Sequence, residues 1–108
     1  MIEATIQAYL MLQDNSKYFD WLKKEVNEIF KNKTDARIFV FGSSLRSNKF
    51  NDIDIGVEGS VTFDDIARLK DRLESSTFPF FVDIINFNTA SEQFKRNVIN
   101  HPTVWIKP

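Results

Sequence analysis

Apolar residues recur along this chain with two periods, one helical and one of strands. Ile2, Ile6, Leu10 and Met11 stand at helical spacing and predict a first helix over about Ile2 to Gln13. Asp14-Asn15-Ser16 interrupts it. A second helix is predicted over about Lys17 to Lys31, with Tyr18, Trp21, Leu22, Val26, Ile29 and Phe30 on one face. Asn32-Lys33-Thr34-Asp35 reads as a turn. Ala36 to Phe41 is β-branched and aromatic, hence a strand. A polar stretch, Ser43 to Asn51, follows Gly42, and a second strand covers about Asp52 to Glu58. Gly59-Ser60 turns the chain.

Thr62 with Asp64 and Asp65 marks a helix start, and Ile66, Leu69 and Leu73 give that helix its apolar face. Ser75-Ser76-Thr77 ends it. Phe78 to Phe87 reads as a strand with Pro79 near its beginning, where proline is tolerated. Thr89-Ala90-Ser91-Glu92 has capping-box form and opens a short helix to about Asn100, which His101-Pro102 stops. Thr103 to Ile106 reads as a short edge strand. The predicted order is α-α-β-β-α-β-α-β, a small mixed sheet flanked by helices, in the α/β or α+β class.

Composition narrows the picture. At 108 residues the chain is expected to be one domain spanning residues 1–108. A net charge of −1 supplies no global field toward nucleic acid or membrane, so long nucleic acid is not expected as the main ligand. The absence of cysteine removes disulfides and thiol chemistry, and with no signal peptide or membrane span in the pattern the expected compartment is the cytoplasm. Eleven phenylalanines imply either a well-filled interior or an apolar surface that meets a partner.

The candidate chemistry lies in Asp52-Ile53-Asp54-Ile55. Alternation sends Ile53 and Ile55 to the core and both aspartates to the other side. Like charges that close repel, and a hard divalent cation between them removes the conflict. Asp83 interrupts Phe80-Phe81-Val82-Asp83-Ile84-Ile85, the most apolar stretch of the chain. A carboxylate there needs either an exposed face or a partner. If its strand lies beside that of Asp52, the three carboxylates share one spot, a template for metal-assisted phosphoryl or nucleotidyl transfer. Gly42 permits a tight turn, and N–H groups and hydroxyls at Ser43 and Ser44, with Arg46, could hold phosphate oxygens. His101, the sole histidine, reads as a capping or surface residue. Trp21, Phe19, Phe30, Tyr9, Trp105 and the Phe78 to Phe81 cluster read as core or partner-facing.

The ordered set Gly42-Ser43, Asp52-Ile53-Asp54-Ile55 and Asp83 resembles the DNA polymerase β-type nucleotidyltransferase superfamily, and within it the minimal nucleotidyltransferases similar to MntA-type antitoxins. The resemblance implies that Asp52 and Asp54 bind two Mg²⁺ ions, and that Asp83 shares one metal and helps activate an acceptor hydroxyl. It implies that Gly42 and Ser43 hold the triphosphate of ATP or another NTP, beside the Ser44 and Arg46 read above as phosphate contacts, and Arg46 matches the arginine of the family's loop. It also implies an adenylyltransferase acting as antitoxin to a small helical HEPN-type toxin, whose tyrosine or bound RNA is the acceptor. Two positions depart from the family's loop: Ser47 stands where glycine is usual, and Asn51 where serine is usual. The chain has little material for an acceptor pocket, so that surface is expected from another protein or another copy. Two rival readings use the same residues: a nucleotide-binding or partner-binding module without turnover, and a structural subunit whose Phe-rich face pairs with a helical protein.

Overall fold

A computed structural model describes residues 16–42 and 52–107. Along the chain these form α1 (Ser16–Phe30), β1 (Arg37–Phe41), β2 (Asp52–Glu58), α2 (Phe63–Ser75), β3 (Phe81–Asn86), α3 (Glu92–Ile99) and β4 (Val104–Lys107). The helix expected over Ile2 to Gln13 and the polar stretch Ser43 to Asn51 lie outside the described residues.

The strands form one mixed sheet in the order β3-β2-β1-β4. β1 pairs antiparallel with both β2 and β4, while β2 and β3 run parallel and are joined through α2. A parallel pair needs such a crossover, because no tight turn can reverse the chain twice. One face of the sheet carries Ile38, Val40, Ile53, Ile55, Val57, Val82 and Ile106, all buried. Phe19, Leu22, Val26 and Phe30 of α1 and Leu69 and Leu73 of α2 cover that face. The helical stripe and the strand alternation read from the sequence therefore meet in one core. The opposite face carries a smaller cluster of Phe39, Phe41 and Phe87, on which α3 sets Val98.

Several boundaries differ from the sequence reading by a residue or more, and three of them have a visible physical reason. The strand predicted from Phe78 begins at Phe81. Pro79 has no N–H for a ladder, and Phe78 and Phe80 turn instead onto α1, in edge-on contacts with Trp21 at 5.3 Å and Tyr18 at 4.9 Å. The cap of α3 is Ser91, whose hydroxyl accepts from the Phe94 N–H at 3.1 Å. Thr89 lies too early in the turn to cap the helix, and its hydroxyl donates to the Asn86 carbonyl. The last strand runs to Lys107, whose ammonium donates to the carbonyls of Lys33 and Ala36 at 2.9 and 2.8 Å. Among the described residues no helix is long and apolar enough to cross a membrane.

Asp65, read from the sequence as part of a helix start, caps its helix from a buried position. Its carboxylate accepts from the Thr62 N–H at 3.0 Å, the Thr62 hydroxyl accepts from the Asp65 N–H at 3.1 Å, and the Lys33 ammonium pairs with the carboxylate. Burial alone would raise its pKa, but the hydrogen bonds from Lys33 and Thr62 outweigh burial and hold it below the ordinary aspartate value. A carboxylate with a depressed native pKa stabilises the fold above its unfolded-chain value of about 3.9. That stabilisation is lost as pH falls through the lower native value. Asp65→Asn is expected to cost roughly 1–3 kcal/mol near neutral pH. In urea denaturation the gap to wild type should shrink below about pH 4. A gap that stays constant down to pH 2 would rule out the carboxylate's charge as its source.

Candidate active site

The alternation of β2 that buries Ile53, Ile55 and Val57 against the helices turns Asp52 and Asp54 to the opposite face. β3 obeys the same rule: Val82 and Ile84 pack on the helix side, so Phe81 and Asp83 share the other. The parallel register then decides the site. Asp54 stands level with Asp83, Asp52 with Phe81. Adjacent strands lie about 4.8 Å apart, so the backbone brings three carboxylates to one end of one sheet face. This is the adjacency the sequence reading required of the Asp52 and Asp83 strands. Asp52 and Asp83 are exposed and Asp54 is half-buried.

Gly42 closes the site on its other flank. β1 pairs Phe41 with Asp54, and the chain leaves β1 at Gly42 with φ of +87°. A Cβ at Gly42 would stand 2.3 Å from Asp54 Oδ2. Glycine is therefore required twice, for the left-handed backbone and for contact with the carboxylate. The other residues proposed for the phosphate turn, Ser43, Ser44 and Arg46, lie outside the described residues, as do Ser47 and Asn51.

The sequence reading missed the part played by Gly56. The Phe39 ring lies over it, and a Cβ there would come within 2.3 Å of that ring. Phe39 in turn meets Phe87 at 4.8 Å and Trp105 at 4.9 Å. An aromatic floor thus fills the far end of the face and leaves the acids at the near end. The available signal was a glycine inside an otherwise apolar strand, which marks close approach of another group. A cleft of about 410 Å³ opens at the aromatic end, lined by Arg37, Glu58, Lys95, Ile99 and Trp105 among others. None of the predicted site residues lines it. Arg37 stacks on Trp105 at 4.7 Å and pairs with Glu58 at 3.3 Å, so its charge is already answered there.

The sequence profile of the family described as polymerase beta, nucleotidyltransferase, matches residues 24–107. The chain belongs to that nucleotidyltransferase family. Its match contains Gly42, Asp52, Asp54 and Asp83. The chain is 31% identical over 65 residues to the probable protein adenylyltransferase MntA of Haemophilus influenzae, a match covering 56% of this chain and 57% of that protein. The chain thus spans little more than half the length of that relative. A solved structure, tri-AMPylated Shewanella oneidensis HEPN toxin in complex with MNT antitoxin, contains a chain of similar fold. The TM-score is 0.55 at 24% identity, covering 82% of this chain and 71% of that one.

Membership in the nucleotidyltransferase family implies a nucleoside triphosphate and, in general, a divalent metal. The donor set suits such a cation, being carboxylate oxygen throughout, with Asp54 and Asp83 abreast on neighbouring strands. Among the described residues no three acidic or histidine side chains are gathered tightly enough to hold a metal ion. The backbone assembles the acids on one face.

Gly42→Ala is expected to lower stability by roughly 1–3 kcal/mol, from positive φ and the close approach together. In an Asp54→Ala background the cost should fall, since the clash leaves and only the backbone strain remains. Chemical denaturation of the four proteins of this double-mutant cycle measures the difference. Equal costs in both backgrounds would show that the Asp54 contact contributes nothing.

Proposed function

We propose that this protein is a metal-dependent adenylyltransferase that moves AMP from ATP to a hydroxyl of a HEPN-type partner protein, as the antitoxin of a toxin–antitoxin pair. The observation that carries the reading is the register of Asp54 with Asp83, with Asp52 on the same face and Gly42 against Asp54. The likeness to a probable protein adenylyltransferase supports the group transferred. The partner class is suggested by the fold neighbour, found in complex with an AMP-bearing HEPN toxin.

Asp52, Asp54 and Asp83 would hold two Mg²⁺ ions, which when bound offset phosphate charge and lower the pKa of the attacking hydroxyl. Gly42 and the turn after it, Ser43, Ser44 and Arg46, receive the β- and γ-phosphates. The acceptor oxygen attacks the α-phosphorus, and a new P–O bond forms. The bond to the β-phosphate's bridging oxygen breaks, and pyrophosphate leaves with its electron pair. Asp83, on the flank away from Gly42, takes the hydroxyl proton and releases it to water.

A second reading, nucleotide or partner binding without turnover, draws on Ser47 and Asn51, which stand where the family's loop usually has glycine and serine. Incubating the chain with labelled ATP, Mg²⁺ and the HEPN-type protein of its own gene pair separates the two. Mass spectrometry of both chains is expected to show an AMP adduct on the partner, and chelation of Mg²⁺ to abolish it. Asp52→Asn and Asp54→Asn are each expected to reduce transfer at least a hundredfold with melting temperature little changed, as loss of a major electrostatic group does elsewhere. Full labelling by either variant would refute the metal assignment, and nucleotide binding without adduct or pyrophosphate would establish the binding module.

A further inference from the structure

Among the described residues, Phe81 is the exposed large apolar residue closest in register to the acids, and neither cluster of the core absorbs it. It is 74% exposed, although it sits in a strand whose next residue, Val82, is buried. β3 is the outermost strand of the described sheet, so Phe81 stands at the margin of the site face. It is level with Asp52 and precedes Asp83 by two residues on the same face, about 6.6 Å along the strand. Its neighbours Phe78 and Phe80 pack on α1, and Phe81 alone of the three turns to the acidic side.

In-line displacement fixes what can approach from that margin. The attacking and leaving oxygens lie on opposite sides of the transferring phosphorus. With pyrophosphate leaving toward Gly42, on the β1 flank of Asp54, the acceptor arrives from the β3 flank. That flank presents Asp83 and Phe81. An exposed aromatic ring beside a reacting group offers apolar area that is stabilising only when covered, and aromatic residues dominate such anchoring contacts.

We infer that Phe81 is an acceptor-binding residue: its ring packs against an apolar part of the partner protein next to the hydroxyl that receives AMP. The inference rests on the reaction proposed above. It gives Phe81 a share in the acceptor's affinity and none in the nucleotide's.

The test is steady-state AMP transfer from ATP to the HEPN-type protein of the same gene pair, with each substrate varied in turn. Phe81→Ala is expected to raise KM for the acceptor roughly five- to thirtyfold, the range of an interface anchor. KM for ATP and the melting temperature should stay near wild type, since the ring is outside the core. Phe81→Trp, which keeps an aromatic face, should restore most of the acceptor affinity. An unchanged acceptor KM in Phe81→Ala overturns the inference and leaves the reaction standing. A raised KM for ATP alone also overturns it, since the ring would then serve the nucleobase. Absence of transfer by the wild-type protein removes the reaction itself, and the inference with it.

Discussion

The parallel pairing of β2 with β3 sets Asp54 level with Asp83, and the buried residues between and beside them hold it there. Ile53, Ile55 and Val57 on β2 and Val82 on β3 enter the core under α1 and α2. Side chains alternate strictly along a strand, so a slip of one residue would exchange the two faces. Asp83 would then sink among leucines, and Val82 would surface. The cost of burying that carboxylate without partners is several kcal/mol. The hydrophobic face thus excludes every slip by an odd number of residues, and the acidic face inherits that constraint.

That dependence lets the sheet carry three acids at one end of one face. Clustered carboxylates repel, and their repulsion opposes folding. The helix-side core carries that burden with two amphipathic helices over four strands. The acidic face adds an aromatic floor of Phe39, Phe41 and Phe87 under α3, which runs from level with Asp54 at Phe41 to Gly56 at Phe39. Gly56 admits the Phe39 ring, and Gly42 admits the Asp54 carboxylate. Each glycine is a place where one side of the face has been cut back so that another group fits.

The division of the face also orders the chemistry proposed for it. Phosphate and acceptor must flank the transferring phosphorus from opposite sides, and β1 and β3 flank the central Asp52 and Asp54 in the same way. β2 serves as the shared axis of two subsites. Among the described residues β3 is the outermost strand, and its flank is the one from which the proposed acceptor approaches.

Much of this was legible in the residues. The period of apolar positions gave α1, β1, β2 and α2 within about a residue, because burial on one face imposes that period directly. Asp-Ile-Asp-Ile placed both aspartates away from the core for the same reason. For Asp83 the residues left a choice between an exposed face and a partner, with Asp52 and Asp54 as companions if the strands were neighbours, and the family resemblance favoured that adjacency. Boundaries set by competition were not legible. Proline and two aromatic contacts with α1 shortened β3, and Ser91 displaced Thr89 as the cap of α3. The sequence by itself determined which residues must leave the core, since alternation is a local property. Only the tertiary structure decided that Asp83 faces Asp54, that Gly42 lies against that carboxylate and that Phe81 stands exposed beside them. Those are relations between segments far apart in the chain, and strand order and register, which no local pattern encodes, bring them together.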